Sequence, residues 1–112
     1  ADRTAEALDS LDEALESFPD NRYLQMIRAS LLEDAGRVDD AIDVFETLAD
    51  EHADWQPPRV MLVINYLHQD RLEDAEPLFD ELVEQGLEDQ LMFSIERLID
   101  QARLDRGMPR RM

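Results

Sequence analysis

In the stretch GRVDDAIDVFETLA, residues 36 to 49, the apolar residues Ala41, Val44, Phe45, Leu48 and Ala49 are three or one positions apart. That spacing gathers them on one stripe of a helix and leaves the acids opposite. DRTAEALDSLDEAL at 2 to 15 and DRLEDAEPLFDELV at 70 to 83 repeat the pattern, so the copies start at 2, 36 and 70. Steps of 34 residues align Ala7 with Ala41 and Ala75, Arg3 with Arg37 and Arg71, Leu11 with Phe45 and Phe79, Ala14 with Leu48 and Leu82, and the acids Glu6, Asp40 and Asp74. Between the copies lies a second helical pattern, Tyr23, Leu24, Ile27, Leu31 and Leu32 in one gap and Val60, Met61, Val63, Ile64 and Leu67 in the next. The repeating unit therefore reads as helix, turn, helix.

Punctuation agrees with the periodicity. Gly36 suits a left-handed helix closure and Asp70 holds the matching place one unit later. Pro57 and Pro58 suit a first helical turn, and Pro19-Asp20-Asn21 marks a boundary with candidate caps. The pattern predicts six helices, at about 4 to 18, 21 to 35, 38 to 53, 57 to 69, 71 to 85 and 89 to 105. Pro77, one turn into the fifth, is expected to bend it or delay its start.

Charge narrows the choice of partner. Against 28 Asp and Glu stand 11 basic residues, all arginine, for a net charge of -17, and such a surface repels nucleic acid and anionic membranes. There is no cysteine, hence no disulfide framework and no thiolate site, and the redox compartment stays open. The longest uncharged run, Val60 to Gln69, falls short of the ~20 apolar residues that span a bilayer. The opening ADRTAEA lacks the basic start and apolar middle of a signal peptide. His52 and His68 lie far apart with no metal-ligand spacing, and Ser10, Ser17, Ser30 and Ser94 sit in no nucleophile motif. Neither an enzyme nor a cofactor or metal site is expected.

The 34-residue period, with Ala7, Leu11, Ala14 and Pro19 in one copy, Ala29, Leu32, Gly36, Ala41 and Phe45 in the next and Leu62, Tyr66, Ala75 and Phe79 in the third, resembles the tetratricopeptide repeat. The likeness runs from residue 2 to about 88. Departures are Gln25 where the family favours a large aromatic, Arg28 where it favours Leu, Val63 in a Gly or Ala slot, and Ala53 and Leu87 where a closing proline is usual. The resemblance implies an all-α fold, a right-handed α-α superhelix of about six antiparallel helices. Its divisions would be a half repeat or cap helix at 1 to 21, repeats at 22 to 55 and 56 to 89, a capping helix at 90 to 105, and a basic tail at 106 to 112. In that last helix Leu91, Ile95, Leu98 and Ala102 are expected to cover the preceding pair, while Glu96, Arg97 and Asp100, in the places of residues such as Leu62, Val63 and Tyr66, are expected to make it a solubilising cap rather than the start of another repeat. Phe45 and Phe79 are expected in the core.

Function follows from the same resemblance. The first helices of such repeats line a concave groove for a partner segment, which here implies Tyr23, Met26, Ser30, Glu33 and Asp34 from one repeat and Val60, Ile64, Leu67 and His68 from the next, with Ser94 and Leu98 from the cap. The lysine-bearing clamp with which co-chaperone members grip acidic tails has no counterpart, so a neutral-to-basic protein segment with apolar anchors is expected instead, with no nucleic acid and no membrane insertion. The alternative is a structural or oligomerisation module of a larger enzyme or secretion assembly, with homo-oligomers formed through the incomplete first repeat. Residues 103 to 112 carry four Arg and one Asp, +3 against -20 for the preceding 102 residues. They could dock on an acidic face, although a solvated, frayed end is the expectation. Crowded acids imply self-repulsion, so the melting temperature should be higher at molar NaCl than at low salt; an unchanged or lower value in a thermal melt followed by circular dichroism would show that repulsion is no leading cost.

Overall fold

A computed structural model describes residues 2–111. Among them are six helices and no strand: α1 (Asp2–Ser17), α2 (Arg22–Asp34), α3 (Val38–Glu51), α4 (Gln56–His68), α5 (Leu72–Glu84) and α6 (Asp89–Asp105). The chain divides between Asp54 and Trp55 into two compact units.

In the first unit α2 packs against both α1 and α3. Its start is set by Asn21, whose Oδ1 accepts from the amides of Tyr23 at 3.0 Å and Leu24 at 3.1 Å, satisfying two donors that the first turn leaves free. Its end is set by Gly36, at φ 79, where an L side chain would be strained. The Gly36 amide donates to Glu33 O at 2.9 Å and the Arg37 amide to Leu32 O at 2.8 Å, the paired closure that turns the chain into α3. Ala29 and Ala41 are 0% exposed and let α2 and α3 approach; Leu32, Ile42, Phe45, Leu48 and Ala49 fill the interior.

The second unit repeats these devices. Asp70 adopts φ 57 where the first unit has glycine, and its amide and that of Arg71 return to Leu67 O and Tyr66 O at 3.2 and 2.7 Å. Asp tolerates this conformation better than most side chains because its short polar group can bond locally. Arg37 pairs with Asp40 and Arg71 with Asp74, each Nε to Oδ2 at 2.9 Å, so the aligned columns of the sequence are aligned contacts in space. α4 packs on α5, and α6 packs on both. Leu62, Val63, Tyr66, Leu72, Ala75, Phe79, Leu82, Ile95 and Ile99 form this core. Asn65, also buried, donates from Nδ2 to Met61 O at 2.8 Å.

Two details differ from expectation. α5 already begins at Leu72, so Pro77 does not delay its start; the proline is exposed, and the carbonyl that loses its amide partner can turn to water. In α6 the residue beneath the helix is Ile99, fully buried, while Leu98 is 43% exposed. Ile95 and Ile99 are one turn apart and face the core together, which rotates Leu98 outward.

These placements assign costs. Phe45→Ala removes a fully buried ring and should cost about 3–5 kcal/mol, whereas Gly36→Ala leaves the packing intact, with nothing near the added methyl, and should cost about 1 kcal/mol of backbone strain. Urea unfolding of the two variants against the parent measures the order.

Candidate functional site

On α2 the residues Tyr23, Ile27, Ser30 and Asp34 are spaced by four, three and four, and all are exposed. They form one outward stripe, apolar at its start and acidic at its end. Tyr23 is 60% and Ile27 49% exposed, a large apolar area for a surface this charged. The Arg22 guanidinium lies 5.3 Å from the Tyr23 ring centroid, within cation–π range. Met26 and Glu33 flank the stripe, half-buried. On the opposite side of α2, Gln25 and Arg28 line a cleft of about 390 Å³ shared with α1 and α3, whose cation is held by Asp12 at 2.8 Å from Arg28 Nε.

In the second unit Val60, Ile64 and Leu67 are half-buried on α4 and His68 is exposed at its last turn. Ser94 and Leu98 are exposed on α6, as is Phe93 at 53%. Of the residues expected at a partner surface, Tyr23, Ser30 and Asp34 thus share one exposed stripe. Met26, Glu33, Val60, Ile64 and Leu67 present only part of their surface. Ile27 and Phe93, outside that expected set, are exposed as well, Ile27 within the α2 stripe and Phe93 on α6 apart from it. The four-residue step from Tyr23 to Ile27 is the signal in the sequence that puts both on one face.

Residues 103 to 111 differ from the expected solvated segment. They form no frayed end: Arg106 donates from Nη1 to Glu73 Oε2 at 2.7 Å, from Nε to Asp70 Oδ1 at 3.1 Å and from Nη2 to the Asp70 carbonyl. Arg111 donates from Nη2 to Asp80 Oδ1 at 2.5 Å and from its amide to Asp100 Oδ1 at 2.9 Å. Arg103, only 18% exposed, holds both oxygens of Glu76 at 2.8 and 3.1 Å and donates to Pro109 O at 2.6 Å. The closing turn after α6, with Met108 N on Arg103 O at 2.8 Å, sends the chain back over its own acids, where charge attraction replaces solvation.

The electrostatics follow this docking. The Arg106 hydrogen bond, helped by a backbone amide, holds the Glu73 carboxyl below the usual carboxylate range, and Glu73 in turn raises Arg106 above the ordinary arginine value. Burial opposes the charge on Arg111, but its bond to Asp80 and the fields of Asp80, Glu76 and Glu96 prevail and raise its pKa. Among the described residues no cluster of three or more His, Asp or Glu side chains could hold a metal ion, and no helix is long and apolar enough to cross a membrane.

Two family models, both described as tetratricopeptide repeat, match this sequence, one over residues 1–55 and the other over residues 32–99. No curated protein and no solved structure gives a significant match.

Because the Glu73 pKa in the folded chain lies below its unfolded value of about 4.3, its pairing contributes stability at neutral pH that is lost as pH falls through the folded value. In an acid titration the Arg106 Nε–H signal in the NMR spectrum should stay separate from the bulk arginine signals at neutral pH and merge with them only at pH below the ordinary carboxylate range. Merging already near pH 7 would mean that the tail is not held.

Proposed function

The chain belongs to the tetratricopeptide repeat family, whose repeats generally mediate protein–protein interaction, and from that premise we propose that it is a non-catalytic scaffold holding a partner segment along the first helices of its repeats. The observation that carries this reading is the α2 stripe. Tyr23 and Ile27 stand in water at the cost of apolar hydration, next to the acids Glu33 and Asp34 that would orient a partner. In this reading residues 22 to 55 and 56 to 89 are the two repeats. The proposed contacts are Tyr23, Met26, Ser30, Glu33 and Asp34 on the first helix of one repeat and Val60, Ile64, Leu67 and His68 on the first helix of the other, because first helices carry the partner-holding face in this family.

The chemistry of the partner follows from the surface offered. An apolar anchor would cover Tyr23 and Ile27, and a basic or neutral flank would lie beside Glu33 and Asp34. With a net charge of -17, the chain draws basic segments toward it over a Debye length and repels acidic ones. A tyrosine suits such a contact because it supplies area with little rotamer entropy to lose.

Selection of a random peptide display library on the intact chain tests the reading. Recovered peptides should pair an aromatic or aliphatic residue with Arg or Lys. Tyr23→Ala combined with Ile27→Asp should weaken them by about 2 kcal/mol or more, while Phe93→Ala leaves them unchanged. Peptides insensitive to the α2 changes would sink it.

A further inference from the structure

α5 carries Glu73, Glu76 and Asp80 at steps of three and four, one stripe of the helix, and each accepts from an arginine 27 or more positions further along the chain. Arg103 belongs to the packing of α6 on α5. Arg106 and Arg111 arrive instead from the segment beyond α6. An acidic stripe by itself would attract any cation; the seating of these two arginines shows a narrower preference. The guanidinium of Arg106 spans two carboxylates and a backbone carbonyl, each through a different nitrogen of its rigid planar fork, a spread that a single ammonium nitrogen does not offer. That of Arg111 lies 5.5 Å from the Phe79 ring centroid while it bonds Asp80. The fork seated at Arg106 favours arginine over lysine, and the ring beneath Arg111 favours a cation there.

The carboxylate ends of most of these contacts are open to water, although Arg111 also lies 3.7 Å from the more covered Glu76. The carboxylates of Asp70, Glu73 and Asp80 are 78%, 68% and 54% exposed, so their pairs are screened by salt and individually weak. We propose that residues 106–111 are a releasable strap, occupying a face of α5 that serves as a docking site for an arginine-rich segment of a partner protein. The strap is an internal stand-in for that segment. It competes as a tethered ligand at an effective concentration on the order of millimolar, so an incoming segment displaces it only by matching its guanidinium contacts and adding others. The α2 stripe plays no part in this site, and either reading survives the failure of the other.

The test uses the full chain and, as probe, a fluorescent peptide of the sequence RLDRGMPRRM, followed by fluorescence anisotropy at low ionic strength. In the Arg106→Gln/Arg111→Gln variant of the same chain the guanidinium contacts are vacated, and the peptide should bind at least about tenfold tighter than to the parent chain. Adding Glu73→Gln and Asp80→Asn to that variant should abolish the gain, and a probe with every Arg replaced by Lys should not show it. Equal binding to parent and variant, binding to neither, a gain that survives the α5 substitutions, or a lysine probe that binds as well would each overturn the proposal. The parent chain provides a reading that depends on no variant: excess peptide should move the NMR signals of Arg106 and Arg111 to their free-chain positions, and unmoved signals would also overturn it.

Discussion

An amphipathic helix of thirteen or fourteen residues with a stripe such as Ala41, Phe45 and Leu48 cannot hide that stripe by itself, and every other feature of the chain answers to this constraint. Pairing the helix with a neighbour buries the stripe only if the neighbour can come close, so small, fully buried alanines stand beside large, fully buried phenylalanines. Ala41 with Phe45 and Ala75 with Phe79 are the same solution four residues apart, in both cases virtually without solvent contact. The turns follow from it as well. A helix that must fold back on its neighbour needs an abrupt stop, and Gly36 and Asp70 provide it by accepting a left-handed backbone.

Most of the fold was legible because it is written twice over, in a period and in a stripe. Each predicted helix exists, and their ends differ from the expected ones by no more than a few residues, where capping rather than periodicity decides. Asn21 shows how: its side chain satisfies the first amides of α2, and the helix begins immediately after it. The faces of the helices were harder to read. Leu98 and Ile99 are equally apolar neighbours, and only the angle at which α6 lies on α4 and α5 determines which is covered. Ile27 illustrates the same limit on α2. The tail was least legible, since its place depends on pairing between residues about thirty positions apart, and composition shows that opposite charges exist without showing that a turn after α6 brings them together.

Charge acts at two ranges in this protein. At long range the excess of acids is a diffuse penalty on compactness and a preference among partners, both softened by salt. At short range the same acids become ligands for a few guanidinium groups. Arg28 ties α2 to α1 through Asp12, Arg37 and Arg71 brace the first turns of α3 and α5, and Arg103 joins α6 to α5 in a partly dry setting where the bond to Glu76 is worth more than a surface pair. Because every cation is arginine, each of these ties is directional as well as electrostatic, which is how a strongly anionic chain places its elements without lysine.

Arg106 grips the main-chain oxygen of Asp70, and Asp70 is the residue whose left-handed backbone ends α4 just after Leu67 and His68. The tail is therefore fastened to a bend and not merely to a surface. Through that carbonyl the segment after α6 is coupled to the rim of α4, so a shift in how Arg106 is seated reaches the side chains flanking this bend.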